Sequence, residues 1–226
     1  MLDRDNKNRS YLENEQKLLK LQENNKKIGI MGGTFDPIHY GHLAMAEFIR
    51  QEYKLDKILF IPSGNPPHKR SKIADKIDRY EMCLLATCSN ENFVVSDIEI
   101  KRDKKTYTID TLRQLKKTYT KSEINFIIGA DAICDIEMWK DVDENFKLAS
   151  FIATTRPGIS EEKTNQKIEE LVKKYNATIH KVHAPSLDIS STYIRDRVGK
   201  NKSIKYVTPE LVEGYIYNKD LYRNGE

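Results

Sequence analysis

The stretch Lys27-Ile-Gly-Ile-Met-Gly-Gly-Thr-Phe-Asp-Pro-Ile-His-Tyr-Gly-His42 decides how the rest of the chain is read. Its apolar run over 28–31 stops at Gly32-Gly33, as a short buried strand stops at a turn. Lacking side chains, two glycines at that point let backbone N–H groups come close to a phosphate. His39 and His42 follow three residues apart, which puts both imidazoles on one face of a helix start, beside the positive end of the helix dipole. The segment is neither the G-x-G-x-x-G dinucleotide fingerprint nor a P-loop, because no G-K-[ST] follows. A bare H-x-x-H pair also suits capping or core histidines; the Gly-Gly-Thr-Phe-Asp-Pro upstream is what turns it toward phosphate. Zinc is set aside, since a helical zinc pair favours a spacing of four and no third ligand is evident.

Working outward, apolar runs of 3–5 residues recur at 58–61, 93–95, 126–128, 151–153 and 178–182, most of them bounded by Gly, Pro, Asn or Ser. Segments of helical period lie between them at 43–53, 77–87, 109–117, 142–148 and 168–175, and two more follow at 191–198 and 209–217. Strands alternating with helices imply right-handed crossovers and a parallel sheet covered on both faces. The expected fold class is α/β, a doubly wound, Rossmann-like parallel sheet in a single domain over 27–226. In such sheets ligands sit beyond the carboxyl ends of the strands, near the switch point. That directs attention to 32–42, 62–72, 129–140, 154–158 and 184–195.

Residues 1–26 differ, with six basic and five acidic side chains and no strand signal. Leu12, Leu18, Leu19 and Leu21 form a narrow apolar stripe, and Glu13 stands four residues ahead of Lys17. This polar extension is expected as a loose or frayed helix. A docking helix for a second copy, and hence a homo-oligomer, is the sharper alternative.

Composition bounds the function. Of 226 residues, 38 are Lys or Arg and 34 Asp or Glu, a net charge of only +4, and the charged fraction is 32%. Mean hydropathy is −0.66, yet Ile, Leu and Val suffice for one core, which excludes disorder of the whole chain. No run approaches the ~20 apolar residues of a membrane span. The start MLDRDNKNRS lacks the apolar run of a secretory signal. Cys83, Cys88 and Cys134 are odd in number and form no C-x-x-C pair, so they read as free thiols in a reducing, cytoplasmic setting. A pI near 8.7 hints at nucleic acid, but no Lys/Arg block stands without acidic neighbours. Neither nucleic acid nor membrane is expected as a partner.

A second motif, Ile189-Ser-Ser-Thr-Tyr-Ile-Arg195, sets three hydroxyls at a helix start and an arginine four residues past Ser191. Ser190 or Ser191 as an N-cap explains one hydroxyl. Three hydroxyls, free N–H groups and a guanidinium also make a pocket for two adjacent phosphates; capping and function stay equally open on this segment alone. The later segments are weaker: Pro66-Pro67-His68-Lys69-Arg70 suits a solvated basic loop as well as a ligand loop, and Trp139, the only Trp, suits a core as well as a stacking site. Capping by Thr108, with Asp110 in the first turn, explains much of 106–111.

Together the two motifs resemble the H-x-G-H and I-S-S-T-x-[IV]-R signatures of the nucleotidyltransferase superfamily, and most closely the bacterial nicotinate-nucleotide adenylyltransferases. Gly64-Asn-Pro-Pro-His-Lys69, Thr106-Tyr-Thr-Ile-Asp-Thr-Leu112, Ile128-Gly-Ala-Asp131, Trp139-Lys140 and Arg156-Pro-Gly158 fall in the family's order over 27 to about 200. The N-terminal extension lies outside the resemblance.

The resemblance implies a cytoplasmic enzyme of NAD biosynthesis that transfers the adenylyl group of ATP to nicotinate mononucleotide, with Mg²⁺ carried by ATP and no dedicated metal residues. It implies that Gly32, Gly33, Thr34 and Phe35 contact nucleotide through the turn. His39 and His42 would bind ATP phosphates, His42 at the α-phosphate, and Ser190, Ser191, Thr192 and Arg195 the pyrophosphate half. His39, His42 and Arg195 are the catalytic candidates. Asp131 and Arg156 would lie near the adenosine, while Thr108, Trp139 and Lys140 surround the nicotinate ring. His68 and Lys69 would serve either the phosphates or the second nucleotide. The alternatives are preference for nicotinamide mononucleotide, or a non-catalytic nucleotide sensor of the same fold. An NAD-dependent oxidoreductase is set aside, because Pro62-Ser63-Gly64 stands where an acidic residue would end the second strand.

Overall fold

The computed structural model describes residues 4–22, 26–65, 73–155, 161–184 and 187–223. Six strands, β1 (Lys27–Gly33), β2 (Lys57–Pro62), β3 (Phe93–Val95), β4 (Glu123–Gly129), β5 (Ser150–Thr155) and β6 (Ile179–His183), pair in parallel in the order β3-β2-β1-β4-β5-β6. The strands are short, and the inner ones, β1, β2, β4 and β5, are largely apolar on both sides because both sides are covered, whereas the edge strand β6 keeps His180 and His183 exposed. Ile28 and Ile30 of β1 and Leu59 and Ile61 of β2 face one core, whereas Met31, Ile58 and Phe60 face the other. Gly29 sits where these strands crowd, as a Cβ there would lie 2.5 Å from the Ile58 Cδ1.

Helices α2 (Tyr40–Glu52), α3 (Lys76–Thr87), α8 (Ser191–Gly199) and α9 (Glu210–Asn218) supply one layer. Helices α4 (Thr108–Thr118), α6 (Val142–Leu148) and α7 (Glu161–Tyr175) supply the other. The doubly wound class expected from the sequence is the observed one, and β1 and β4 meet at the switch point. Helix α7 begins seven residues earlier than the apolar period indicates. Its first turns are polar, and Glu161 and Glu162 there suit the positive end of the helix dipole. A short helix α5 (Ala130–Cys134) and a 3₁₀ turn at Ile136–Met138 occupy a segment read only as a strand end.

The N-terminal segment differs most from expectation. Helix α1 (Arg4–Leu21) lies against α3 and the outer strand β3 rather than hanging loose. Leu21 is buried, and the Tyr11 ring stands 6.0 Å from that of Tyr80. The physical reason lies in the edge of the sheet. β3 has three residues and an outer row of unpaired N–H and C=O groups, which must find partners when buried. The Asn14 carboxamide supplies both: its Nδ2 donates to the Val95 carbonyl at 2.9 Å, and the Val95 N–H donates to its Oδ1 at 2.8 Å. The compositional change near residue 26 is therefore no break in packing.

Candidate active site

The site starts where β1 ends. The Gly32-Gly33 pair enters a tight turn whose next residues are folded inward: Phe35 and Asp36 are buried, Phe35 at φ 50, and the Asp36–Pro37 peptide is cis. A Cβ on Gly33 would sit 3.0 Å from the Phe35 ring, so glycine is needed there for the ring to pack. A Cβ on Gly32 would meet nothing closer than Phe126 at 3.5 Å, so its bareness keeps space open instead.

His39 and His42 do come together. His39 caps α2 and is buried; His42 is half-buried beside it, the rings stacked with centroids 3.7 Å apart. The His39 backbone N–H donates to the His42 Nδ1 at 3.3 Å, and Phe35 lies edge-on at 5.1 Å. An accepting Nδ1 assigns the proton of the neutral ring to Nε2. His42 thus presents a fixed N–H donor at a helix N-terminus. The same pair also closes a capping box at the start of α2, so capping and a donor aimed outward are combined in one arrangement.

The second motif is joined to this turn. Ser190 caps α8, accepting from the Tyr193 N–H at 3.1 Å. Ser191 Oγ donates to the Pro37 carbonyl at 2.9 Å, and Arg195 NH1 donates to the Asp36 carbonyl at 2.7 Å. Thr208 Oγ1 reaches the next carbonyl, that of Ile38, at 2.9 Å. Three successive carbonyls are satisfied by three side chains from the far end of the chain. Arg195 NH2 donates to Thr192 Oγ1 at 3.2 Å, which holds the guanidinium across the first turn of α8.

Beyond the ends of β1 and β4 lies a cavity of about 300 Å³ whose lining includes Gly32, Gly33, Thr108, Phe126, Gly129 and Trp139. The Trp139 indole meets Phe126 edge-on at 6.0 Å, so one face is braced and the ring still borders the cavity. Thr108 is the first residue of α4 rather than its cap, which is Tyr107; its hydroxyl is thereby left for the cavity. Asp131 folds back against the bare Gly129, where a Cβ would lie 2.4 Å from Asp131 Oδ1. Lys140 departs from the other nicotinate candidates: it lines a neighbouring cleft, with its Nζ 5.0 Å over the Tyr107 ring. His68, Lys69 and Arg156 lie outside the described residues.

Residues 30–197 match the model of the cytidylyltransferase-like family. A protein of Thermoanaerobacter sp. (strain X514) named as a probable nicotinate-nucleotide adenylyltransferase is 52% identical over 206 residues, 90% of this chain and 98% of its own. One of the same name from Moorella thermoacetica is 49% identical over 199 residues, 87% of this chain and 92% of its own. This chain belongs to the nicotinate-nucleotide adenylyltransferase family. Among solved structures, a Plasmodium falciparum nicotinic acid mononucleotide adenylyltransferase complexed with NaAD shares the fold at a TM-score of 0.71 and 24% identity, covering 88% of this chain and 98% of that one.

Two residues that shape the candidate site of this adenylyltransferase family member were not singled out from sequence. Arg79 of α3 is fully buried and spends its donors on backbone carbonyls: NH1 to Thr34 at 2.8 Å, NH2 to Gly64 at 3.1 Å and Nε to Ala74 at 3.1 Å. Burial lowers its pKa from the ordinary arginine value, against the pull of Asp36. It pins the glycine turn to the loop after β2. The signal was present as a lone arginine amid the apolar period of 77–87. Glu99 lines the cavity and accepts from Thr111 Oγ1 at 2.7 Å; nothing in its local sequence marks it.

Proposed function

We propose that this chain transfers the adenylyl group of ATP to nicotinate mononucleotide, forming nicotinate adenine dinucleotide and releasing pyrophosphate, as a step in NAD biosynthesis. The observation that carries this reading is that Gly32 and Gly33 serve two places at once. On one side they lead into the turn that sets His42 and whose carbonyls accept from Ser191 and Arg195 of α8. On the other they border the cavity of Thr108 and Trp139. A phosphate-facing surface and a slot for a flat heteroaromatic ring thus share a wall, as joining two nucleotides requires.

An oxygen of the mononucleotide 5′-phosphate attacks the α-phosphorus of ATP; that P–O bond forms as the bond to the β-phosphate oxygen breaks. The attacking oxygen is already anionic, so no side chain need act as nucleophile, and positioning with charge neutralisation supplies the rate. His42 Nε2–H and the glycine turn meet the charge growing at the α-phosphate, while Arg195, Ser190, Ser191 and Thr192 hold the departing pyrophosphate. His39 supports His42 from beneath, and Thr34 and Phe35 shape the turn. Asp131, with Arg156, serves the adenosine; Trp139, Thr108 and Lys140 serve the pyridine; His68 and Lys69 serve either nucleotide.

Mg²⁺ supplies charge neutralisation on the phosphates when bound. Among the described residues no three His, Cys, Asp or Glu side chains gather as metal ligands. The turn's own carboxylate, Asp36, already accepts from Ala74 N–H and Tyr222 O–H. The donor set suits an ion held by ATP oxygens. Free thiols at Cys83, Cys88 and Cys134 suit a reducing, cytoplasmic place, and no described helix is long and apolar enough to cross a membrane.

Pyrophosphate release from ATP and Mg²⁺ tests the reading, with nicotinate mononucleotide, nicotinamide mononucleotide and phosphopantetheine in parallel. Release with the acid form alone is expected. Release with the amide alone would reassign the substrate, and silence with all three would leave a nucleotide-binding fold without this activity.

A further inference from the structure

Asp36 is a carboxylate in a turn whose neighbours Phe35, Pro37 and Ile38 are buried, and it is itself 1% exposed. A buried carboxylate must be matched by donors or counter-charge. Here the donors come from two distant segments onto one oxygen: the Ala74 N–H reaches Oδ1 at 3.1 Å and the Tyr222 hydroxyl reaches it at 2.8 Å. The other oxygen, Oδ2, stands 3.6 Å from Arg195 NH1, while the same NH1 donates at 2.7 Å to the carbonyl of Asp36 itself. The guanidinium is therefore held by a backbone oxygen and by Thr192 and lies near the carboxylate without closing onto it.

We infer that Tyr222 and Asp36 are positioning residues for Arg195: the Tyr222 hydroxyl keeps the Asp36 carboxylate from closing into a full ion pair with the guanidinium and so leaves Arg195 poised for phosphate. Two claims on one cation compete. A carboxylate at hydrogen-bond distance would neutralise Arg195 and turn its donors away from ATP. The same carboxylate drawn back by Tyr222 and Ala74 steadies the guanidinium electrostatically without spending its donors, a pre-organised arrangement. Tyr222 donates across the neutral pH range, because burial and the adjacent Asp36 raise its pKa above the usual tyrosine value. Its place just beyond α9, at φ 63, brings the phenol back over the turn. This inference rests on the proposed role of Arg195 toward ATP phosphates.

The test is the affinity of a non-hydrolysable ATP analogue with Mg²⁺, measured calorimetrically for the full chain, Tyr222→Phe, Arg195→Ala and the double variant, with thermal melts confirming that each is folded. Tyr222→Phe is expected to weaken binding roughly three- to tenfold, about the net worth of one ordinary intramolecular hydrogen bond, since the effect reaches ATP only through Arg195. In the Arg195→Ala background the same change is expected to alter affinity less than about twofold, because the residue through which it acts is gone. A chain ending at Leu221 removes the phenol by another route and should reproduce the Tyr222→Phe loss. Unchanged affinity in Tyr222→Phe, or an equal loss with and without Arg195, would overturn the inference while Arg195 keeps its role. If Arg195→Ala binds the analogue as tightly as the unaltered protein, the Arg195 reading fails, and this inference with it.

Discussion

Ser191 Oγ donates to the carbonyl of Pro37 at 2.9 Å across 154 residues of sequence, and with the Arg195 bond to the Asp36 carbonyl it ties the second motif to the first. It fixes where α8 begins relative to the glycine turn, and so where Arg195 stands relative to His42. Ser191→Ala leaves the carbonyl of the buried Pro37 short of a donor, at a cost of about 1 kcal/mol in stability. Because the displaced helix carries Arg195, kcat/KM is expected to fall about tenfold, roughly 1.4 kcal/mol of lost transition-state stabilisation. Ser191→Thr keeps the hydroxyl and should recover most of both. Urea melts beside steady-state kinetics check it; a stability loss with intact kcat/KM would separate the bond from catalysis.

On the role proposed for His42 at the developing charge, its removal should fall on turnover. His42→Ala is expected to lower kcat on the order of 10²–10³-fold while changing ATP-analogue affinity only a few-fold. His42→Gln offers an amide donor near the Nε2 position and should land between. Equal losses in rate and affinity would assign His42 to ground-state binding instead.

Asn14 closes the outer edge of β3 by pairing with both polar groups of Val95. Asn14→Ala strips a donor and an acceptor together and is expected to cost about 1–3 kcal/mol by urea denaturation. Asn14→Asp can still accept from the Val95 N–H but sets a buried carboxylate oxygen against the Val95 carbonyl, so it should cost at least as much as alanine. Light scattering is expected to rise with protein concentration in the alanine variant, since an uncovered edge invites strand addition. A melt identical to that of the parent would mean that α1 contributes nothing to the sheet.

Alkali should unfold the protein through its tyrosines. Burial, helped by Glu81, pushes Tyr11 up to about 12, and burial alone takes Tyr119 to about 12. Tyr215 and Tyr222 are raised by burial and then by their carboxylate neighbours. Phenols whose folded pKa exceeds the unfolded value of about 10 stabilise the fold fully below pH 10 and lose that contribution as pH climbs toward the folded values. Urea midpoints should hold steady from pH 8 to about 10 and then fall. On the acid side Glu47, held at about 2 chiefly by hydrogen bonding from Arg50, gives a smaller loss below about pH 4. A flat profile between pH 10 and 11.5 would contradict the burial of these rings.

Most strands were legible because the residues that make a parallel strand are those that fill both of its faces, as in Ile28–Met31 and Ile58–Ile61. The glycine turn and the two motifs were legible because their local sequence is unusual, with paired glycines, paired histidines and three successive hydroxyls. What sequence left dark is what arises only across distance. Asp36 sat within the first motif, yet its partners Ala74, Arg195 and Tyr222 are 38, 159 and 186 residues away. Asn14 looked like one polar residue among many in a polar helix, since its value lies in facing an unpaired strand edge. Lys140 followed Trp139 in sequence but turns toward Tyr107, because adjacent residues at a helix exit need not share a direction.

The separations that hid these contacts also set an order of events. The histidines and glycines leave the ribosome early, whereas the side chains that satisfy the carbonyls of Asp36, Pro37 and Ile38 come from residues 191–208, and the phenol on Asp36 from residue 222. Contacts of such long range form late, after the local elements they join. A nascent or prematurely terminated chain therefore carries the two glycines and the two histidines without the side chains that brace their turn, and the bracing is complete only once residue 222 has been made.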